Sequence, residues 1–280
     1  TTEIYTLSLH DALPISIRGD VNSFGDGLKY FGQGALVGAA LGAAWQFAPL
    51  IPGIGQGIQT GMNIYGYTQL GGAALSTVSG LGQGIFGGDW SALGNAGQIF
   101  LGNFYLDENS SFFGGIGQGI SRHTWEFIQT GLGHSFAQIR NTFGAVDNVE
   151  YFGGATLANR NTDDGGLAGM TLGNFIMGTN LRARTDDWTF MHEYGHTLQS
   201  RSWGPLYSFV SALLSGADML FNWDEPWEDN PRFIMHDIRW YETGANRRAA
   251  RYFNRHFGTE WDDVENPRSK DIARSLILTR

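Results

Sequence analysis

His192, Glu193 and His196 stand in the run His192-Glu193-Tyr194-Gly195-His196, two imidazoles four positions apart with a carboxylate beside the first. On a helix such imidazoles project from one face a turn apart, so both can reach a single tetrahedral Zn2+. Glu193, adjacent to the first ligand, is placed to take a proton from metal-activated water instead of binding the ion. A catalytic zinc needs a third protein ligand and an open fourth position. A histidine at 202 with glycine at 199 would extend the motif, but the chain has Ser202 and Gln199, so a downstream carboxylate is expected. Asp218, Glu225, Glu228, Asp229, Asp237 and Glu242 are the candidates.

Glu242 is favoured because Ala245 and Ala249 follow at helical spacing, letting its helix pack closely on the helix that bears the histidines. Asn246, one turn on, can accept a hydrogen bond from a ligand imidazole and fix its tautomer. The competing reading makes Glu242 a surface acid paired with Arg247 or Arg239. Tyr207, His236 and Tyr241 are available as oxyanion donors. His123, His134 and His256 have no ligand partner at useful spacing and read as structural or exposed.

The elements that must position these groups are legible in outline. Asp186 and Asp187 supply acidic residues at the start of the histidine-bearing helix, which Gly204-Pro205 ends. Trp188, Met191, Tyr194 and Leu198 give that helix an apolar face, and Gly195 leaves room for a close neighbour. Val149–Leu157 and Met170–Met177 are β-prone, with Asp164-Gly165-Gly166 between them, which predicts a hairpin or two paired strands. Leu206–Phe221 and Arg232–Phe257 read as helices, the second broken near Tyr241. The second half is therefore α+β.

The first half is different. Residues 17–144 hold 29 of the 41 glycines but residues 1–144 only 12 of the 45 charges, so a boundary near 145 is expected. Tyr30–Gly88 contains no Asp, Glu, Lys, Arg or His. A degenerate Gly-x-Gly-Gln-Gly-Ile repeat recurs at 53–58, 80–85 and 115–120 with unequal spacing, which argues against a solenoid. Gly34, Gly38 and Gly42 fall on one helical face, predicting a packed helical hairpin in a Gly/Ala-rich spacer; membrane contact through 30–88 and disorder are the other expectations. The formal net charge of −9 lacks the basic footprint of a nucleic-acid binder, so no nucleic-acid partner is expected. The absence of cysteine excludes disulfides and thiolate metal sites.

Thr1–Ser16 back-translates, in one frame through all sixteen positions, to a string that resembles a short-read sequencing adapter. The segment is expected to be an artefact with no domain, the natural chain starting near Ile17 and being truncated upstream. The working division is 1–16 artefact, 17–144 spacer or membrane-interacting region, and 145–280 catalytic domain.

The His-Glu-x-x-His run with Glu242 resembles the gluzincin class of zinc metallopeptidases over residues 149–253, Glu242 taking the place of the class's ligand glutamate. The resemblance implies a zincin-like α+β domain in which Met170–Met177 looks like the edge strand that pairs with the substrate backbone. More narrowly, Phe190–Ser200, Trp203–Tyr207 and Glu242–Ala249 are similar to C-terminal domains of rearrangement-hotspot (Rhs) repeat proteins, which are bacterial polymorphic toxins. That similarity implies a zinc endopeptidase secreted or delivered to a target cell, acting on a protein or peptide substrate and paired with an immunity protein. The rival expectations are a membrane-interacting or translocation module with an accessory or inactive zinc domain, and a non-catalytic binding domain.

Overall fold

The computed structural model describes residues 24–207 and 240–261. The chain is α+β and mostly helical, with one small mixed sheet. Among the described residues, five α-helices precede the sheet: α1 (Phe24–Phe47), α2 (Gly55–Gly87), α3 (Ser91–Leu101), α4 (Phe112–His123) and α5 (Phe127–Thr142). Strands β1 (Asn148–Phe152), β2 (Ala155–Arg160), β3 (Gly169–Leu172) and β4 (Phe175–Thr179) follow, then α6 (Trp188–Trp203) and α7 (Trp240–Phe257). The strand order is β1-β2-β4-β3, with β2 and β4 parallel and both outer pairs antiparallel.

Each β-prone run is a hairpin, not a single strand. Val149–Leu157 turns at Gly153 and Gly154, whose φ values of 53° and 82° favour glycine, and Met170–Met177 turns at Gly173 with φ 62°. The predicted edge strand Met170–Met177 is thus corrected: only Gly169–Leu172 lies at the edge, while Phe175–Thr179 is central. Asp164-Gly165-Gly166 lies in the loop joining β2 to β3 and turns no hairpin.

The central strands are buried on both faces, and their two-residue period divides the core. Leu157 and Ile176 point to one side, packing with Phe190, Tyr194, Ala249 and Phe253 of α6 and α7. Ala158, Phe175 and Met177 point to the other, packing with Ile99 of α3 and Ala137 of α5. The composition change near 145 therefore falls inside this second core. Glycine permits the close approach there: a Cβ on Gly133 of α5 would lie 3.0 Å from the Phe175 Cβ.

The expected hairpin of Gly/Ala-rich helices is not how the first half packs. α1 lies on α4, and α2 lies on α3 and α5; α1 and α2 meet through the bond from Trp45 Nε1 to Asn63 Oδ1, 2.9 Å. The sequence repeat has a steric meaning in two of its copies. Gly80 and Gly84 receive the backbone of Ala92–Leu93 and the Trp90 ring, and Gly115 and Gly119 receive Gln33 and Val37. Among the described residues, no helix is long and apolar enough to cross a membrane. Thr1–Ser16, and positions 208–221 of the helix expected from Leu206, lie outside the described residues.

Candidate metal centre

α6 starts where the two aspartates predict. Asp187 is its N-cap, the carboxylate accepting from Phe190 N at 2.9 Å, and the helix ends at Gly204. Its C-terminal turns are anchored by the first half: Glu126 accepts from Ser200 Oγ at 2.9 Å, Gln129 Nε2 donates to Gly204 O at 2.8 Å, and Trp125 Nε1 donates to Arg201 O at 3.0 Å. Phe190, Met191 and Tyr194 fill the core; Trp188 stays half exposed, edge-on to Trp261.

α7 crosses α6 at the expected small residues. Ala245 and Ala249 are fully buried, and Gly195 sits against the Ala245 carbonyl. The helix is described from Trp240 onward, so the break expected near Tyr241 falls at the edge of the described residues. Close crossing brings Glu242 to the histidines: its Oε2 is 3.1 Å from His192 Nε2 and 2.9 Å from His196 Nε2, and the two nitrogens are 3.2 Å apart. Glu242 is buried against these imidazoles, so the surface-acid reading does not apply.

His192, His196 and Glu242 form a group that could hold a metal ion. Two independent observations fit that role. A tetrahedral zinc with bonds of 2.0–2.1 Å sets its ligand atoms about 3.3 Å apart, close to the three separations here. The second is the tautomer. His192 Nδ1 lies 2.8 Å from Asn246 Oδ1, and His196 Nδ1 lies 2.8 Å from Gln199 Oε1. Gln199 is oriented because its amide nitrogen donates to Tyr241 O. Amide oxygens accept, so both Nδ1 atoms carry the hydrogen and both Nε2 lone pairs face Glu242. Three electron-rich atoms in contact require a positive species among them. With a proton in that role, Glu242 outweighs the burial that would depress His192 and holds it at about 9, while the histidines hold the Glu242 carboxyl far below its usual range despite burial.

Glu193 is mostly buried, and its carboxylate is fixed by a residue that sequence reasoning missed. Thr171 Oγ1 lies 2.7 Å from Glu193 Oε2 and 3.0 Å from the Glu193 carbonyl oxygen, so the hydroxyl is shared between them. Gly169 presses on the same side chain, a Cβ there lying 2.5 Å from Oε1. Edge strand β3 thus lies directly on Glu193. Only the β-prone character of 170–177 hinted at this neighbour, because sequence spacing carries no cross-element distance.

Tyr207 is buried with its ring 6.2 Å from that of His196. Burial, then Glu193, Glu242 and Tyr241, push its hydroxyl well above the ordinary tyrosine range, so it stays protonated. Tyr241 is buried as well, and its carbonyl accepts from Gln199. His236 and the alternative carboxylates Asp218, Glu225, Glu228, Asp229 and Asp237 lie outside the described residues. His123 and His134 are core groups, against Phe104 and Tyr65 and against Phe100 and Phe175, and His256 is exposed on Tyr252.

No protein family, curated protein or solved structure matches the chain.

Proposed function

We propose that the chain is a zinc-dependent endopeptidase of the gluzincin type, with His192, His196 and Glu242 as ligands and Glu193 as general base. The convergence of both Nε2 lone pairs on a buried carboxylate, with a second carboxylate, Glu193, in electrostatic reach of His192, carries this reading. A purely structural site has no use for Glu193.

Bound zinc would act as a Lewis acid, acidifying water and polarising a scissile carbonyl. The remaining steps belong to the chain. Asn246 and Gln199 hold the imidazoles in the ligating tautomer. Glu193 takes the proton of the attacking water and returns it to the leaving amine nitrogen. Thr171 keeps that carboxylate turned to its task. The protonated Tyr207 hydroxyl is the favoured donor to the developing oxyanion. β3, at the edge of the sheet among the described residues and beside Glu193, offers its outer side to align a peptide backbone. The zincin-like character of 145–280 and its role as the effector end of a secreted Rhs-type toxin, opposed by an immunity protein, rest on the motif similarities in Phe190–Ser200 and Glu242–Ala249.

Elemental analysis of the purified full chain, paired with cleavage of a mixed peptide library, tests the proposal. One zinc per chain with metal-dependent cleavage is expected. A chain that binds zinc and cleaves nothing points to the binding-domain alternative, and a chain that takes up no metal removes every catalytic role above.

A further inference from the structure

Among the described residues, one face of α2 is left without a partner, and it carries an ordered pattern that the candidate metal centre does not use. Opposite its buried residues Gln69, Ser76, Gly80 and Gly84, the helix exposes Ile64, Tyr67, Val78, Leu81 and Ile85, with exposed Gly71 and Ala74 between them. The steps along this line alternate three and four residues, the spacing of a coiled-coil seam. Exposure is large: Tyr67 keeps 75% of its surface and Val78 67%. The described residues of a lone protomer leave this stripe in water.

We propose that α2 is a self-association surface, pairing antiparallel with α2 of a second copy about a two-fold axis at Gly71. Three features select that occupant. First, the pattern is self-complementary in this register: Ile64 meets Val78, Tyr67 meets Leu75, and the large Leu81 and Ile85 meet Gly61 and Gly57. Glycine meets itself at the axis, where two backbones approach most closely, and a Cβ at Gly71, Gly57 or Gly61 meets nothing within 4 Å in the protomer. Second, the exposed apolar side chains on this face, Leu70 and Leu75 included, amount to roughly 700 Å² per copy, near the ~800 Å² each partner contributes to a standard interface. Third, Tyr30–Gly88 has no charge, so the paired helices neither repel nor bury an ion. The same lack of Lys and Arg disfavours a lipid surface, since interfacial helices carry basic residues beside the apolar face.

The test is sedimentation equilibrium of the full chain, alone and as Val78→Glu, an exposed position that leaves the protomer core intact. Wild type is expected to be a dimer, and the variant, with two unpaired carboxylates at the seam, to dissociate more than about 100-fold more readily. Register is read by disulfide trapping, which the absence of native cysteine makes clean. Gly71→Cys should cross-link to its own copy, whereas Gly57→Cys or Ile85→Cys alone should not, and an equal mixture of those two should. A monomeric wild type overturns the proposal. So does a dimer insensitive to Val78→Glu, or self-cross-linking at Gly57, which would mean a parallel pair. A monomer that floats with phosphatidylcholine vesicles and loses flotation on Val78→Glu would assign the face to a bilayer instead.

Discussion

Gly195→Ala tests whether the proposed metal centre depends on how closely α6 and α7 cross. A Cβ at 195 would lie 2.7 Å from the Ala245 carbonyl carbon and 3.1 Å from its Cα, with the carbonyl oxygen nearer still. These are backbone atoms of α7 that no rotamer change can move, so the helix must retreat by about 1 Å to restore ordinary contact. Glu242 sits one turn before Ala245 on that helix and moves with it. A ligand set tolerates errors of about 0.2 Å, so a shift several times larger breaks the triangle of 2.9, 3.1 and 3.2 Å. The expected outcome is a folded protein destabilised by about 1–3 kcal/mol, with zinc affinity reduced at least ~10-fold and a larger loss in any peptidase rate. Urea unfolding of the metal-free chain reads the first quantity, and competition with a chromogenic chelator reads the second. Zinc bound as tightly as by wild type would refute the argument that this glycine sets the ligand distance.

Glu193→Gln should keep zinc and the fold while peptide hydrolysis falls ~100-fold or more, whereas His192→Ala should lose the metal itself; elemental analysis beside a cleavage assay separates them. Glu242→Ala should weaken zinc binding more than about 100-fold while Asp218→Ala and Glu228→Ala leave it unchanged, and the reverse pattern in a zinc titration would reassign the third ligand. Thr171→Val, which removes the hydroxyl shared between the Glu193 carboxylate and carbonyl, should lower kcat on labelled casein ~10-fold with KM and zinc content unchanged, and Thr171→Ser should restore it. Burial holds His134 down to about 3 and burial with Arg122 holds His123 down to about 4, so both stay neutral in the fold but protonate near 6.5 once unfolded. Their contribution is complete above about pH 6.5 and is lost as pH falls toward 4, at up to ~1.4 kcal/mol per pH unit for each; His134→Leu should flatten that slope in urea unfolding at stepped pH.

The sequence alone determined those parts of the site that depend on local periodicity. His192 and His196 share a face because they are four apart on one helix, and Asp187 and Gly204 end that helix by capping chemistry within a few residues. Glu242 and Asn246 could be singled out because their helix carries alanines at the same period, which is a local signal of a close crossing. Where the period failed was at the strands. A run such as Met170–Met177 looks continuous until Gly173 adopts a left-handed φ, and a β-prone run containing glycine reads alike whether it extends or turns.

Tertiary structure decided everything that joins distant segments. Gln199 was oriented toward His196 by the Tyr241 carbonyl, and Thr171 became the partner of Glu193, only because α7 and β3 were both folded onto one helix. The change in composition near 145 coincides with no gap in packing, since Ile99 and Ala137 from one side share a core with Phe175 and Met177 from the other. Composition records what each residue prefers as a neighbour, and the neighbour itself is chosen by burial of both sheet faces at once. The same physics explains the repeated glycines. Their spacing marked a helical face, but which helix arrives at Gly80 and Gly84, or that none of the described helices arrives at Gly71, is a property of the assembled layers.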